Sequence, residues 1–344
     1  MTHRFALLLL TLTCLLLAAC GESSDSTSTA VSDAVGDGNV AETRAMEQEA
    51  KVAALREEVA RLERERRQQT PEEAQGSRGG TALTSRAPAA GTGSETGTIL
   101  SADARASFDQ LASSLSGPVG IAVSGVGNGQ RVEQLGSLQS AIAWSTSKVP
   151  VAMAAIAAGV ADSSDLQAAI TASDNAAATN LWNALGGGER AAAAADAQLR
   201  AAGDATTTVE SQTLRGGFTP FGQTVWSLAD QTRFTAGMAC TGPGQQVLDL
   251  MGQTISAQRW GLGAIGSAQQ LKGGWGPGSA PGSDGGYLDR QMGIVTLDGK
   301  PIAIAIAAQP GDGSHESGTT ALTTLARWIA EHADTSDLPA QPAC

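Results

Sequence analysis

The order in which strand and helix patterns follow one another constrains the fold of this chain more than any other feature. After a helical pattern at 102–115, the stretch VGIAVSGVGNGQRVEQLG has two strand patterns around the turn signal Asn128-Gly129. Helical and loop patterns then fill most of 144–239. Strand patterns return in QLKGG, DRQMGIVTL and PIAIAIAA, before an amphipathic helix at 317–332. The sequence therefore predicts an α+β fold, with an antiparallel sheet assembled from both ends of the domain around a helical insertion.

The first twenty residues have the pattern of an export signal. A charged start with His3 and Arg4 is followed by the apolar run FALLLLTLTCLLL, which has signal-peptide proportions and is short for a membrane span. The run ends in Leu-Ala-Ala-Cys, which resembles the lipobox of bacterial lipoproteins. This resemblance implies cleavage after residue 19 and a lipid on Cys20, which would anchor the chain at the outer face of the cytoplasmic membrane. The alternative is an ordinary secretory signal with a chance cysteine.

The segment 20–97 is predicted to be a tether. It begins with small, polar and acidic residues that cannot bury enough apolar surface to fold. Within 41–69, apolar residues recur at a spacing of three and four, which predicts a short coiled-coil-like helix, either a solvated spacer or a site of weak self-association. A Gly/Ser/Pro-rich linker fills 70–97. We therefore expect the globular domain at 98–338 and a short tail at 339–344.

Charge and cysteine content narrow the possible partners. The formal net charge of -12 argues against nucleic acid and against a basic surface for anionic lipid. Cys14 would leave with the signal and Cys20 would carry lipid. The remaining Cys240 and Cys344 would form one disulfide in an oxidising compartment, with two free thiols as the alternative.

The sequence gives no indication of a metal site or a cofactor. No Cys/His or paired-carboxylate spacing suggests metal ligands. A Ser-His-Asp triad is poorly supported, because His315 and His332 are both expected to be solvated. The six tryptophans are expected in the core and between lobes. Tyr287 would either pack at a strand edge or line the rim of a site.

Three polar clusters interrupt apolar or small-residue surroundings. They are Ser145-Thr146-Ser147-Lys148 at a helix start, Ser173-Asp174-Asn175 between helical runs, and Lys272-Gly273-Gly274 at the end of a strand. On a helix, Lys148 would lie on the same face as Ser145, and the helix start would supply unpaired N–H groups. Taken singly, each cluster could be a helix cap or a turn.

Together, the clusters resemble the S-x-x-K, S-D-N and K-T-G motifs of class A β-lactamases and penicillin-binding proteins. The segment AAITASDNAAATNLWNALGG carries the resemblance most specifically, and the likeness extends over 102–332. It implies a β-lactamase/transpeptidase-like fold, with an antiparallel sheet flanked by helices and a reduced all-helical lobe.

The resemblance also implies roles for the residues that match. Ser145 would attack an amide or β-lactam carbonyl, and Lys148 would accept or relay its proton. Ser173 would pass a proton to the leaving nitrogen. Lys272 would hold a substrate carboxylate and polarise Ser173. Asn175 would face Lys148 and the substrate side chain.

The strand that carries the third motif would complete the substrate site. An oxyanion would lie between the N–H of Ser145 and that of the residue after Gly274. Gly273 and Gly274 would line the substrate site, and Arg290 on the next strand is a further candidate for binding a substrate carboxylate.

The sequence departs from the family pattern in three ways. Ser145 and Ser173 are closer in sequence than in the family, which predicts a trimmed helical lobe and a wider site mouth. Gly273 replaces the threonine of K-T-G, which removes a hydroxyl that would help to hold the substrate. No E-x-x-L-N loop supplies a glutamate to activate the deacylating water, and Glu210 is either its substitute or a solvated loop carboxylate.

Two classes of function follow. The first is acyl transfer through Ser145 on β-lactams or peptidoglycan peptides, with slow β-lactam hydrolysis. The second is a catalytically degenerate, lipid-anchored domain that binds cell-wall fragments or a protein partner.

Overall fold

The computed structural model describes residues 98–278 and 286–344. The predicted signal peptide, the lipid anchor at Cys20, the tether and its coiled-coil-like helix at 41–69 lie outside the described residues.

The described chain contains helices on both sides of a central sheet. The helices are α1 Ala102–Ser114, α2 Lys148–Ala157, α3 Ser163–Gln167, α4 Asn175–Ala184, α5 Gly188–Ala201, α6 Leu228–Met238, α7 Gly242–Met251 and α8 His315–His332. The strands are β1 Val119–Gly125, β2 Glu133–Gly136, β3 Ser140–Ile142, β4 Val225–Ser227, β5 Ser267–Pro277, β6 Tyr287–Leu297 and β7 Lys300–Ala308.

The main sheet has the strand order β2-β1-β7-β6-β5, and its pairings are antiparallel. β1 pairs with β7, so that Ile121 lies opposite Ile306. β6 and β7 are joined at Asp298-Gly299, where both residues have positive φ, as a tight hairpin turn requires. Because β1 and β2 precede the helical segment and the other three strands follow it, the predicted α+β arrangement is confirmed.

The two faces of the sheet are covered by different helices. On one face, α1 and α8 pack Phe108, Leu322 and Leu325 against Ile121 and Ile304. On the other face, α6 packs Leu228 against small side chains such as Ala122 and Ala305, which let the helix approach closely. The sheet therefore has apolar residues on both faces, which explains the continuous apolar run in PIAIAIAA.

Helix α2 is the centre of the helical lobe. Val149, Val151 and Met153 are fully buried among residues of α4, α5 and α7. After Lys148, α2 is apolar on all sides, and such a helix must lie inside the protein. Pro150 is tolerated because it falls in the first turn. The Ser145 turn is thereby fixed to the most buried helix of the lobe.

The helical segment contains features that local patterns do not indicate. β3 and β4 form a two-stranded sheet from positions far apart in sequence. The helix expected before Ser173 ends in a π-helical turn, Ala168–Ala172, and Ser173 itself adopts a left-handed conformation with φ of 62°. Asp174, rather than Ser173, caps α4 by accepting a hydrogen bond from the backbone of Ala177.

The C-terminal tail is attached to the domain at two points. Cys240 and Cys344 form a disulfide with their Cα atoms 5.4 Å apart. Ala343 exchanges backbone hydrogen bonds with Val126 and Asn128, at 3.0 and 2.9 Å. The tail therefore joins the end of α6 to the turn after β1. Within 98–278 and 286–344, no helix has the length and apolar character needed to cross a membrane.

Because the disulfide closes a loop of 104 residues, it restricts the unfolded chain strongly. We expect Cys240→Ser to lower the free energy of unfolding by about 2–4 kcal/mol. Chemical denaturation of the wild type and the variant, with and without a thiol reductant, measures this difference. Reduction of the wild type should reproduce the loss and should leave the variant unchanged. An equal free energy of unfolding in wild type and variant would contradict the expectation.

Candidate active site

Ser145 lies in a single 3₁₀ turn, Trp144–Ser147, that leads directly into α2. Ser145 is half-buried and lines a cavity of about 900 Å³. Its hydroxyl does not cap the helix, since no side-chain capping bond forms at the start of the turn or of α2. The alternative of an ordinary capping serine is therefore not observed.

The backbone just before Ser145 is strained. Trp144 has φ of 46°, a region that a bulky L-residue rarely adopts. Its indole ring is almost fully buried and packs on Phe218, with the ring centroids 4.9 Å apart. Gly276 of β5 makes room for the ring, because a Cβ at that position would lie 2.7 Å from it. Packing from two other segments thus holds Ser145 in an unusual local geometry.

The Lys148 amine is buried in the first turn of α2. It donates to the carbonyl and hydroxyl oxygens of Ser173 and to Asn175 Oδ1, the last at 2.7 Å. Burial lowers the pKa of Lys148 to about 8, and the charge of Asp174 partly opposes this shift. Near neutral pH the neutral amine is therefore more populated in Lys148 than in an exposed lysine, although the ammonium form still predominates.

Ser173 Oγ lies between two amines. Lys272 Nζ approaches it at 2.8 Å from β5, and Lys148 Nζ approaches it at 3.2 Å from α2. Lys272 is fully buried, and this burial, together with the charge of Lys148, holds its pKa well below the usual range. Since two ammonium groups so close together repel each other, the arrangement favours one protonated and one neutral amine.

The backbone of β5 approaches the Ser145 turn at Gly274. A Cβ on Gly274 would lie 2.9 Å from the backbone nitrogens of both Ser145 and Thr146. Any other residue would push the strand away from these N–H groups. Gly274 therefore brings β5 against the amide nitrogen of the candidate nucleophile.

Gly273 faces the opposite side of β5. A Cβ there would lie 2.8 Å from the ring of Trp260, so that a threonine would collide with the indole. The departure from the threonine of K-T-G is thus explained by packing: an aromatic ring fills the space that a threonine side chain would occupy.

The structure brings together five of the residues that the sequence singles out. Ser145, Ser173 and Asn175 line the cavity, and Lys148 and Lys272 lie beneath it. The other lining residues are Trp144, Ala176, Thr179, Asn180, Thr213, Gly217, Phe218, Thr219, Pro220, Gly222, Trp275, Gly276, Pro277 and Tyr287.

Arg290 is not available to a substrate, which corrects the prediction that it binds a substrate carboxylate. It is fully buried, and its guanidinium donates to the carbonyl oxygens of Ala141, Ile142 and Trp226 and to Gln231 Oε1. These acceptors belong to β3, β4 and α6, so Arg290 joins the small sheet to the main one. Burial lowers its pKa to about 9.

Glu210 lies outside the cavity, which corrects its assignment as a candidate deacylation base. Its carboxylate accepts a hydrogen bond from the backbone of Gln212 at 2.8 Å, and its own backbone donates to Thr224 Oγ1. The carboxylate therefore stabilises its own loop. Among the residues that the structure describes, no Asp or Glu lines the cavity.

A cluster around His315 behind β5 is the main feature that sequence reasoning missed. His315 contacts Asp289, with Nδ1 and Oδ1 2.5 Å apart, and its ring lies 5.3 Å from that of Trp275 and 5.8 Å from that of Tyr287. Trp260 completes the cluster. Trp275 and Tyr287 line the cavity, so Tyr287 takes the rim position. His315 is exposed, as expected, and is also held by its contact with Asp289.

No sequence signal could have found this cluster, because β5, β6 and the start of α8 meet only in the folded sheet. Trp275 lines the cavity, whereas Trp260 packs against the core on the other side of β5. Over residues 98–278 and 286–344, no group of three His, Cys, Asp or Glu side chains could hold a metal ion.

Asp289 gives a testable property of this cluster. The carboxyl is fully buried, its Oδ2 has no hydrogen-bond partner, and desolvation raises its pKa to about 6 against the opposing effect of His315. A raised carboxyl pKa means that folding is favoured when the group is protonated, and that this stability is lost as the pH rises through about 6.

We therefore expect His315→Ala to lower the free energy of unfolding by about 1–3 kcal/mol above this pH, where Asp289 ionises without its partner, and by less below it. Denaturant unfolding across a pH series measures the difference. His332→Ala, at the other end of α8 and stacked on Trp328, is the control and should show no such trend. A deficit in His315→Ala that does not change with pH would contradict the expectation.

Comparison with known proteins supports the fold. No protein-family model and no curated protein matches the sequence. Among solved structures, the chain is similar to a class A β-lactamase from Mycobacterium abscessus, with 16% identity over 66% of this chain and 98% of that chain, and a TM-score of 0.52. A β-lactamase from Chitinophaga pinensis is 17% identical over 67% of this chain and 98% of its own, with a TM-score of 0.53. The described domain therefore has the fold of the class A β-lactamases.

Proposed function

We propose that residues 98–338 form a serine acyl-transfer hydrolase of the β-lactamase type, acylated at Ser145 by β-lactams or D-alanyl peptides. The observation that supports this most directly is the convergence of two buried amines on Ser173 Oγ beside Ser145. Neither amine forms an ion pair within the described part of the chain, and burying amines in this way costs stability. Groups with pKa values shifted by burial are typical of a site that transfers protons.

In the proposed acylation, neutral Lys148 removes the proton from Ser145 Oγ as this oxygen bonds to the substrate carbonyl carbon. The carbonyl oxygen becomes an oxyanion between the N–H groups of Ser145 and Trp275, the residue that follows Gly274. The close approach of β5 to the Ser145 turn supports this assignment.

The leaving nitrogen then needs a proton. Ser173 Oγ donates it as the carbonyl carbon–nitrogen bond breaks, and Ser173 recovers a proton from the Lys148 ammonium, which holds the proton taken from Ser145, while Lys272 stabilises the Ser173 oxygen. The contacts of Ser173 Oγ with both lysines support this relay. The product is an ester between Ser145 and the acyl group.

Release of the acyl group would be slow. A water molecule must attack the ester, and a general base accelerates that step by about 10²–10⁴-fold in enzymes that have one. The cavity lining within the described residues contains no carboxylate, and Glu210 is bound to its own loop.

A second candidate function is a degenerate domain that binds cell-wall fragments or a protein partner without turnover. The absence of a carboxylate from the described cavity lining and the replacement of threonine by Gly273 favour it. A binding domain would not need the two buried lysines, which is why acyl transfer is preferred. In either case, we propose that a lipid on Cys20 anchors the chain at the outer face of the cytoplasmic membrane.

Covalent acylation is the direct test of the proposed function. We expect intact-mass spectrometry to show one adduct on Ser145 after incubation with a penicillin, and the adduct to persist because no described carboxylate activates water. Ser145→Ala should give no adduct, whereas Ser113→Ala, an exposed serine of α1, should behave as wild type. If several β-lactams gave neither an adduct nor hydrolysis, the enzyme proposal would be wrong. Rapid hydrolysis would show that another group activates water.

The acylation rate should also depend on pH. Since the pKa of Lys148 is lowered to about 8 and the neutral amine is the base, the rate should rise as the pH increases through about 8. Asp174→Asn removes a charge that raises this pKa, and asparagine can still cap α4. The variant's profile should therefore shift to lower pH. The measurement is the rate of acylation of the wild type and the variant over a pH series. An unshifted or upward-shifted profile of the variant would exclude Lys148 as the base.

A further inference from the structure

A buried chain of hydrogen bonds ties the Ser145 turn to the sheet and to α6. Its members are the side chains of Thr146, Gln231 of α6 and Arg290 of β6, which are all fully buried. Thr146 directly follows Ser145 in the turn, but neither Thr146 nor Gln231 is among the residues that line the cavity. A substrate would therefore not touch this chain, and any effect on the reaction must pass through the turn.

The chain holds the backbone on both sides of the proposed nucleophile. Before it, Arg290 Nη1 donates to the carbonyl oxygens of Ala141 and Ile142, at 2.8 and 3.1 Å, where β3 leads into the turn. After it, Thr146 Oγ1 accepts a hydrogen bond from Gln231 Nε2 at 3.0 Å. The position of the turn is thus set by one side chain from the main sheet and one from α6.

The direction of these hydrogen bonds is determined by the arginine. Because a guanidinium has donors and no acceptor, the Gln231 atom that faces Arg290 is the amide oxygen, and Nη2 lies 2.7 Å from Oε1. The Gln231 amide nitrogen therefore faces Thr146, whose hydroxyl accepts this bond and is left to donate its own proton elsewhere. It donates to the Ala143 carbonyl oxygen at 2.5 Å. Arg290 thus decides, through one amide, where the Thr146 hydroxyl points.

The Ala143 carbonyl is part of the backbone that presents the Ser145 N–H. It also accepts a hydrogen bond from the Thr146 backbone at 3.1 Å, which closes the turn around Ser145. A Cβ on Gly274 would lie 2.8 Å from this carbonyl oxygen and 2.9 Å from the Ser145 nitrogen, so both atoms lie against β5. Since an oxyanion donor is effective only when it is aimed in advance, a shift of Ala143 would misalign the Ser145 N–H.

We propose that Gln231 is a positioning residue, which orients the Ser145 turn through the Thr146 hydroxyl. It transmits the hydrogen-bond direction set by Arg290 and so keeps the Ser145 N–H aimed at the developing oxyanion. The inference rests on the proposed acylation of Ser145 and adds a residue outside the cavity on which the acylation rate depends. If Gln231 only stabilised the fold, the rate of the folded protein would not depend on the direction of this chain.

Gln231→Glu reverses the direction of the chain and keeps the shape of the side chain. Glutamate accepts from Arg290, which keeps it ionised, but it has no N–H for Thr146, so the hydroxyl turns to donate to it and releases the Ala143 carbonyl. Because Arg290 has no acidic partner among the described residues, the new ion pair should prevent a loss in the denaturant midpoint. The second-order rate constant for acylation of the full chain by benzylpenicillin should fall about tenfold or more.

Two further variants separate the hydrogen bond from the charge that glutamate introduces. Gln231→Met removes both hydrogen bonds without adding a charge and should also lower the acylation rate. In a Thr146→Val background the hydroxyl is absent, so the glutamate has nothing to act through. Thr146→Val and the double variant Thr146→Val with Gln231→Glu should therefore be acylated at rates within about twofold of each other.

The next residue of α6 provides a matched control. Thr232 is also fully buried, but its hydroxyl donates to the carbonyl oxygens of Leu228 and Ala122, at 2.8 and 3.3 Å, and not to the Ser145 turn. Thr232→Val should therefore lower the denaturant midpoint, because buried hydrogen bonds are lost. Its acylation rate should stay within about twofold of the wild type. Stability and acylation rate are thus expected to change independently in the two positions.

The outcomes distinguish this inference from the proposed function. Unchanged acylation rates in the Gln231 variants would overturn the positioning role and leave acylation of Ser145 intact. A glutamate effect that persists in the Thr146→Val background would also overturn it, because the charge would then act without the hydroxyl. Equal losses of rate in Gln231→Glu and Thr232→Val would show a general effect of α6 and overturn it as well. No adduct with the wild type would overturn the proposed function, and with it the inference.

Discussion

The contact of Ser173 Oγ with two buried lysine amines is the interaction on which the rest of the site depends. Lys148 comes from the central helix of the helical lobe and Lys272 from the edge strand of the sheet. The site therefore exists only while lobe and sheet are packed together. The segment before Ser173 is held in turn by the loop after α7, since Ile255 and Gln258 donate to the carbonyl oxygens of Thr171 and Ala172. A left-handed residue at the end of a π-helical turn needs this support from its surroundings.

The glycines of β5 determine how closely the sheet and the helical lobe approach each other. Along an extended strand, alternate residues face opposite sides. Gly274 and Gly276 face the lobe and admit the Ser145 turn and the Trp144 ring, while Gly273 faces the other way and admits Trp260. The same alternation sends Trp275 toward His315 and α8. One glycine-rich strand thus shapes the nucleophile's turn on one side and the aromatic cluster on the other.

Much of the fold was predictable, because its strands and long helices have strong local periodicity. The hairpin at Asn128-Gly129, the turn at Asp298-Gly299 and the closing helix all depend on residues near one another in sequence. The three motifs identified Ser145, Ser173 and Lys272, which the fold brings to one cavity. Local patterns could not show β3 pairing with β4, nor the π-helical turn, because both depend on packing between distant segments.

By itself, the sequence determined which residue types could transfer a proton. It also determined that β5 is rich in glycine, so that this strand lacks the side chains that would keep the sheet away from the helical lobe. Only the tertiary structure decided which charges face the cavity. Arg290 and Glu210 are residue types that could serve in the site. The Arg290 guanidinium, however, donates to backbone carbonyl oxygens, and the Glu210 carboxylate accepts a hydrogen bond from its own loop. His315, at the start of α8, is positioned by its contact with Asp289 of β6. The physical reason is that a charged group acts through what surrounds it in space, and burial and hydrogen-bond partners are set by the packing of distant elements.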